Sequence, residues 1–149
     1  MMMYLIVRGL HNLLRWAVLF SVLTAAGMSF WGLVSKRPWV GVDRGLGIAV
    51  VSSVGLQFVV GLWLYGISPL TLTAMRHPEI LGQSSDVAFF AIYHLVFMLV
   101  AFVLVQAVYA VVKRSKNAER KFLYATIGYT LGSLLIILAI PWWRPFLPH

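Results

Sequence analysis

An apolar run from about position 4 to position 34 carries Arg8, His11 and Arg15 inside it, and that combination constrains the fold more than any other feature. The run is long enough for one helix to cross about 30 Å of hydrocarbon at about 1.5 Å per residue. The three basic residues recur at i, i+3 and i+7, so a helix presents them on one face. Guanidinium and imidazole groups in a membrane are costly unless they meet a partner, water or a bound group. His94 lies inside a second long apolar run. The chain must therefore fill a membrane and bring polar groups together within it.

Of the 149 residues, 61% are hydrophobic and 11% charged, against roughly 45–50% and 25% in a soluble domain. The sequence reads as a single integral membrane domain, 1–149, in contact with a lipid bilayer. With no cysteine, disulfides, iron–sulfur clusters and thiolate metal sites are excluded. A net charge of +8 invites a nucleic-acid reading, but the basic residues concentrate in two short connections between apolar runs. That distribution is a topology signal, and no nucleic-acid partner is expected. The first segment is expected to remain in the chain as a spanning helix. It is too long for a signal peptide, and its arginines are interleaved with the apolar residues instead of preceding them.

Four spanning helices are expected, at about 4–34, 46–65, 87–112 and 122–140, all sized for a bilayer. Pro38 and Pro141 follow the first and fourth segments, and the residue before a proline resists the helical region. Ser84, Ser85 and Asp86 offer N-cap side chains for the third, and Lys113, Arg114 and Lys116 suit its carbonyl end. The stretch 67–85 holds Pro69, Pro78 and Gly82 and is too polar to span. It is expected as an ordered outer loop with a short helix. Trp142, Trp143 and Arg144 resemble an interfacial anchor.

The first connection carries Lys36, Arg37 and Arg44, and the third carries Lys113, Arg114, Lys116, Arg120 and Lys121. The second carries only Arg76 against Glu79 and Asp86. Basic connections stay cytoplasmic. The expected fold is an all-α, up-down-up-down four-helix bundle in the cell inner (plasma) membrane, with both termini and the second loop outside.

That orientation puts His11 and His94 at matched depth, about 10–12 Å from the same outer side. In such a bundle the first and third spanning helices face each other across the core. Two imidazoles so placed suit the axial positions of a planar metal macrocycle, and haem b needs no cysteine. His11 and His94 are thus the candidate metal ligands. Gln57 reaches the same layer as an intramembrane amide that needs a partner. Arg15 is deep enough to require one as well: a haem propionate, Asp86 or a quinone oxygen. Gly55, Gly61, Gly128 and Gly132 give the layer small walls, which in membranes more often serve close helix packing. His77 and His149 lie outside the layer and are expected to be solvated. No HExxH zinc motif, glycine-rich phosphate loop or pair of intramembrane carboxylates is present, so no hydrolase or transferase centre is expected.

His11, Arg15 and Trp16, with Lys36-Arg37-Pro38, then Gln57, Gly61, Tyr65, Ser68 and Pro69, then His94 with Met98, and Pro141-Trp142 after an aliphatic run, form a pattern in fixed order over nearly the whole chain. It resembles the small four-helix integral membrane "cytochrome B" family common in Bacteroidetes and relatives. The resemblance implies a b-type haem membrane subunit. Two positions depart from that pattern. Gly55 stands where the family often has histidine, and Tyr93 where it often has glutamate, so haem ligation here falls to His11 and His94.

The expected function is electron transfer by such a subunit, linked to a quinol pool and working with other membrane subunits or a redox partner. A non-catalytic accessory subunit without haem is the alternative. A transporter is third, since four helices without inverted repeats or broken spans argue against it. Topology is open to direct test. A reporter fused after Lys116 should read cytoplasmic and one after Glu79 exterior; the reverse pattern would invert the assigned sides.

Overall fold

A computed structural model describes residues 1–143. Every regular element among them is helical: α1 (Met2–Val34), α2 (Gly41–Ile67), α3 (Pro69–Arg76), a 3-10 turn (Pro78–Gly82), α4 (Ser85–Ala88), a π-helical turn (Phe89–Tyr93), α5 (His94–Arg114) and α6 (Ala118–Leu138). The helical segment from Ser85 to Arg114 is continuous. With α1, α2 and α6 it makes four helices long and apolar enough to cross a membrane.

Helix ends follow from their caps. The second spanning helix begins at Gly41, ahead of the position near 46 expected from hydropathy, because Asp43 organises its first turn. The Asp43 carboxylate accepts the Val40 N–H at 3.0 Å and two Arg37 N–H bonds at 2.7 and 2.5 Å. Such a forked pair is stronger than a single contact. Likewise α6 starts near 118, ahead of the expected 122, where the Asn117 side chain accepts the Arg120 N–H at 3.0 Å.

In sequence order around the bundle, α1 packs on α2 and α6, and α5 packs on α6 and α2. This closes a ring in which α1 and α5 occupy one diagonal. Val22, Val50, Val105 and Ala125, one from each spanning helix, are fully buried where the four meet. Lipid is as apolar as the core, so close packing and interhelical hydrogen bonds must hold the helices together. Gly32 makes room for the Phe122 ring and Gly128 for the Val108 side chain, while a Cβ on Gly132 would stand 3.0 Å from Val105 Cγ2. The packing role expected for Gly128 and Gly132 is therefore the one they have. Polar groups bridge as well: Ser21 and Ser53 hydroxyls lie 2.8 Å apart, and Gln106 Nε2 donates to the Val51 carbonyl at 3.2 Å.

The connection between α2 and α4 is built from α3 and the 3-10 turn. The Thr71 hydroxyl donates to the Tyr65 and Ser68 carbonyls at 2.5 and 3.0 Å. Ala74, Val87 and Ala91, with Leu70, Ile80 and Leu81, form a small apolar cluster beneath it. His77 is exposed and pairs with Glu79 at 3.1 Å. The Trp143 indole donates to Asp86 at 3.0 Å and ties the end of the bundle to the start of α4. Arg144 and His149 lie outside the described residues.

Substituting Gly128 tests the packing directly. Gly128→Ala drives a methyl group into Val108 and should cost about 1–3 kcal/mol of stability. Gly27→Ala meets nothing within 4 Å and should change little, both read by thermal unfolding in one detergent.

Candidate functional site

Above the valine core the helices part around a cavity of about 410 Å³, within the range of small-molecule and cofactor pockets. α1 contributes Tyr4, Arg8, His11, Asn12, Arg15 and Val18 to its wall, and α2 contributes residues from Val54 to Tyr65, Gln57 and Gly61 among them. α5 adds His94, Leu95, Met98, Ala101 and Phe102; α6 and the segment after it add Ile136, Ile140 and Pro141. Phe58 and Phe102 stack at 4.5 Å between ring centres, with planes 8° apart, and sit in the wall between α2 and α5.

The four residues singled out by sequence, His11, Arg15, Gln57 and His94, all line this cavity. The two imidazoles come from the diagonal pair of helices and meet with ring centres 6.2 Å apart and planes at 70°. α1 delivers His11 because its polar stripe faces inward between α2 and α6. Gly61 leaves space for that ring, since a Cβ there would stand 3.1 Å from His11 Cε1. His94 is placed by the π-helical turn before it. One extra residue in that turn re-registers the helix, a distortion found often at functional sites. The Tyr65 hydroxyl donates to the Ala91 carbonyl inside the turn at 3.0 Å, and the Phe89 and Phe90 rings lie 5.9 and 6.1 Å from the His94 ring.

Hydrogen bonds set the tautomers. A carbonyl can only accept, so His94 Nδ1 carries the proton it donates to the Ala139 oxygen at 2.8 Å. The basic nitrogen of His94 is then Nε2. Gln57, buried on α2, donates from Nε2 to the His11 carbonyl at 3.0 Å and toward His11 Nε2 at 3.3 Å. An amide donor on that nitrogen marks it as the basic one and puts the His11 proton on Nδ1. His11 Nδ1 and Gln57 Oε1 are both buried without a hydrogen-bond partner among the described residues. Buried groups of that kind generally have one.

Whether these residues suit a haem can be tested on spacing and on donors. Two imidazoles on one metal ion need roughly 2.0–2.1 Å for each bond. Adding about 1.1 Å from nitrogen to ring centre on each side gives about 6.3 Å between rings. The ring centres here are 6.2 Å apart, a separation compatible with that arrangement. Both rings keep a proton on Nδ1 and offer Nε2, and His94 has the carbonyl partner that typically orients a metal-bound imidazole. The metal would displace the long Gln57 contact on His11. The pair fits.

Arg15 is half-buried, and its guanidinium carbon lies 5.4 Å from the Trp16 ring centre. Asp86, one partner expected for it, is engaged by Trp143. Two features of the site escape the sequence, and a third was legible in it without being singled out. The Ala139 carbonyl is a backbone group that every residue carries, and the π-helical turn has no residue signature. Asn12 does have one, as a lone amide in an apolar run beside His11. No family model, curated protein or solved structure matches the chain.

The Gln57 amide is the one side chain that joins α2 to both the backbone and the ring of His11. Gln57→Leu should therefore lower stability by about 1 kcal/mol, the scale of an interhelical hydrogen bond in a membrane. Reversible unfolding of the purified chain in mixed micelles would read the loss, and no loss would mean the amide bridges nothing in solution.

Proposed function

We propose that the chain is a membrane subunit that holds a b-type haem between His11 and His94 and carries electrons within a larger respiratory or photosynthetic assembly. The observation that carries this reading is the 6.2 Å approach of two imidazoles from diagonal helices, both with Nε2 as the basic nitrogen. The bundle runs up-down-up-down with both termini outside, in the cell inner membrane, so the site lies toward the outer face. When bound, haem supplies reversible one-electron chemistry that no side chain of the chain offers.

The protein's own residues do the rest. His11 and His94 are the axial ligands. The Ala139 carbonyl fixes the His94 ring and makes its free nitrogen more basic, as such outer contacts do for metal-bound imidazoles. Val18, Val54, Phe58, Met98 and Phe102 keep the pocket apolar, and burial of this kind tunes a haem potential. Arg15 faces a propionate, and Gln57 steadies the His11 backbone. An electron carrier needs a donor and an acceptor, which makes other membrane subunits or a redox partner part of the reading.

A second occupant is favoured by the unmatched pair His11 Nδ1 and Gln57 Oε1. A quinol head group brings hydroxyls of the kind that accept from an imidazole N–H and donate to an amide oxygen. The accessory-subunit reading, in which these polar groups only join helices, follows if neither ligand binds.

The test is a pair of visible spectra, oxidised and reduced, of the chain purified from haem-replete membranes. Wild type should give the sharp bands of a six-coordinate low-spin haem. His11→Ala and His94→Ala should each abolish them, and Gln57→Leu should retain them. A wild-type protein that neither purifies with haem nor binds added haem would overturn the reading.

A further inference from the structure

Arg8 was the outermost of the three basic residues on the α1 stripe, and neither the metal ligands nor Gln57 account for it. It is half-buried and lines the cavity one turn from His11, on the side opposite Arg15. Its guanidinium carbon lies 5.6 Å from the Tyr4 ring centre, and no carboxylate among the described residues reaches it.

The acidic side chains can be accounted for one by one, since the chain has four. Asp43 holds Arg37, Glu79 meets His77, and Asp86 accepts from Trp143. Glu119 stands in the first turn of α6, beside the connection from α5. None of the four lines the cavity. The wall therefore presents two guanidiniums, Arg8 and Arg15, and no side-chain carboxylate, around a pocket that is otherwise mostly apolar. A guanidinium in such surroundings gains most from a planar two-oxygen acid, which its fork can grip with two bonds.

We infer that Arg8 anchors an acid group borne on an apolar body, with that body filling the cavity below it. A porphyrin carboxylate is one source of this chemistry, and the inference rests on the haem reading for that source. The carboxylate or phosphate of an anionic lipid is the other. Arg8 is a positioning residue in this account: it holds the ligand's acidic edge at the mouth and touches no reacting atom.

The experiment uses the full chain in detergent micelles and titrates it, by the Soret band, with iron protoporphyrin IX and with its dimethyl ester, in which both carboxylates are capped. Wild type should bind the diacid roughly tenfold or more tighter than the diester, the scale of one charge-assisted bond. Arg8→Gln should reduce that difference severalfold, with the share that Arg15 supplies remaining, while leaving diester affinity unchanged, and Arg8→Lys should restore part of the loss. In a second arm, native mass spectrometry counts phosphatidylglycerol retained by wild type and by Arg8→Gln from mixed micelles.

A diacid preference that depends on Arg8 assigns the site to the porphyrin. If neither porphyrin binds but retained lipid falls in Arg8→Gln, the anion anchor stands with lipid as its source and the haem reading fails. Equal binding of diacid and diester by wild type, with lipid retention unaltered by Arg8→Gln, overturns the anchor. Haem ligation by His11 and His94 would survive that result.

Discussion

A hydrocarbon interior offers polar groups no water, so each one placed there must find a partner in the protein or a ligand. The Gln57–His11 contact is where this constraint acts hardest. One amide spans the gap between α1 and α2, bonding both the backbone and the ring of His11. It therefore fixes how the two helices sit, which nitrogen of the ring holds the proton, and which way the ring can turn. Gly61 follows from it, because a side chain there would press on the ring that Gln57 holds. On the far diagonal the Ala139 carbonyl does the same for His94, and the two rings meet across the bundle.

The lower bundle has a different logic. Val22, Val50, Val105 and Ala125 close the centre without a gap, and Gly32 and Gly128 let bulky neighbours seat against backbone. Dispersion between well-fitted surfaces stabilises this half, since lipid and core are equally apolar. The upper half gives up that packing to form a cavity. Its walls are held apart by polar contacts and by the π-helical turn. Close packing in the lower half and a cavity in the upper half thus share the same four helices.

Much of this was legible in the sequence. Hydropathy alone located the four spanning helices, and depth counting brought His11, Gln57 and His94 into one layer, where the structure also has them. Helix starts were less legible. Asp43 reads as a loop charge until Arg37 and the Val40 N–H are seen to converge on it, a three-part contact with no linear signature. The π-helical turn was equally hidden, because Phe89 to Tyr93 would serve as well in an ordinary helix. Arg8 was visible on the α1 stripe. Its isolation from every carboxylate side chain was not, since that depends on where Asp43, Glu79 and Asp86 go in three dimensions.

Charge also bears on what the cavity favours. A quinol head group is neutral. Its hydroxyls would offer partners to His11 Nδ1 and Gln57 Oε1 yet give Arg8 nothing, leaving that guanidinium to hydration and the Tyr4 ring. A porphyrin carboxylate would pair with Arg8, and its metal would take the two Nε2 lone pairs, but it would leave the His11 Nδ1 proton without an acceptor. The two ligands draw on the same cavity of about 410 Å³. The comparison turns on magnitudes: an unmatched neutral donor costs about 1–3 kcal/mol, and a lone charge deep in a membrane helix costs about 2.5–3.5 kcal/mol even on the insertion scale. Near the mouth the second figure shrinks as Arg8 reaches toward water, which brings the two costs close. What separates the ligands is then the gain on the other side. A quinol would form ordinary hydrogen bonds, whereas a porphyrin would form two metal–imidazole bonds and a charge-assisted pair, and that balance is what favours the acid-bearing macrocycle in the proposed reading.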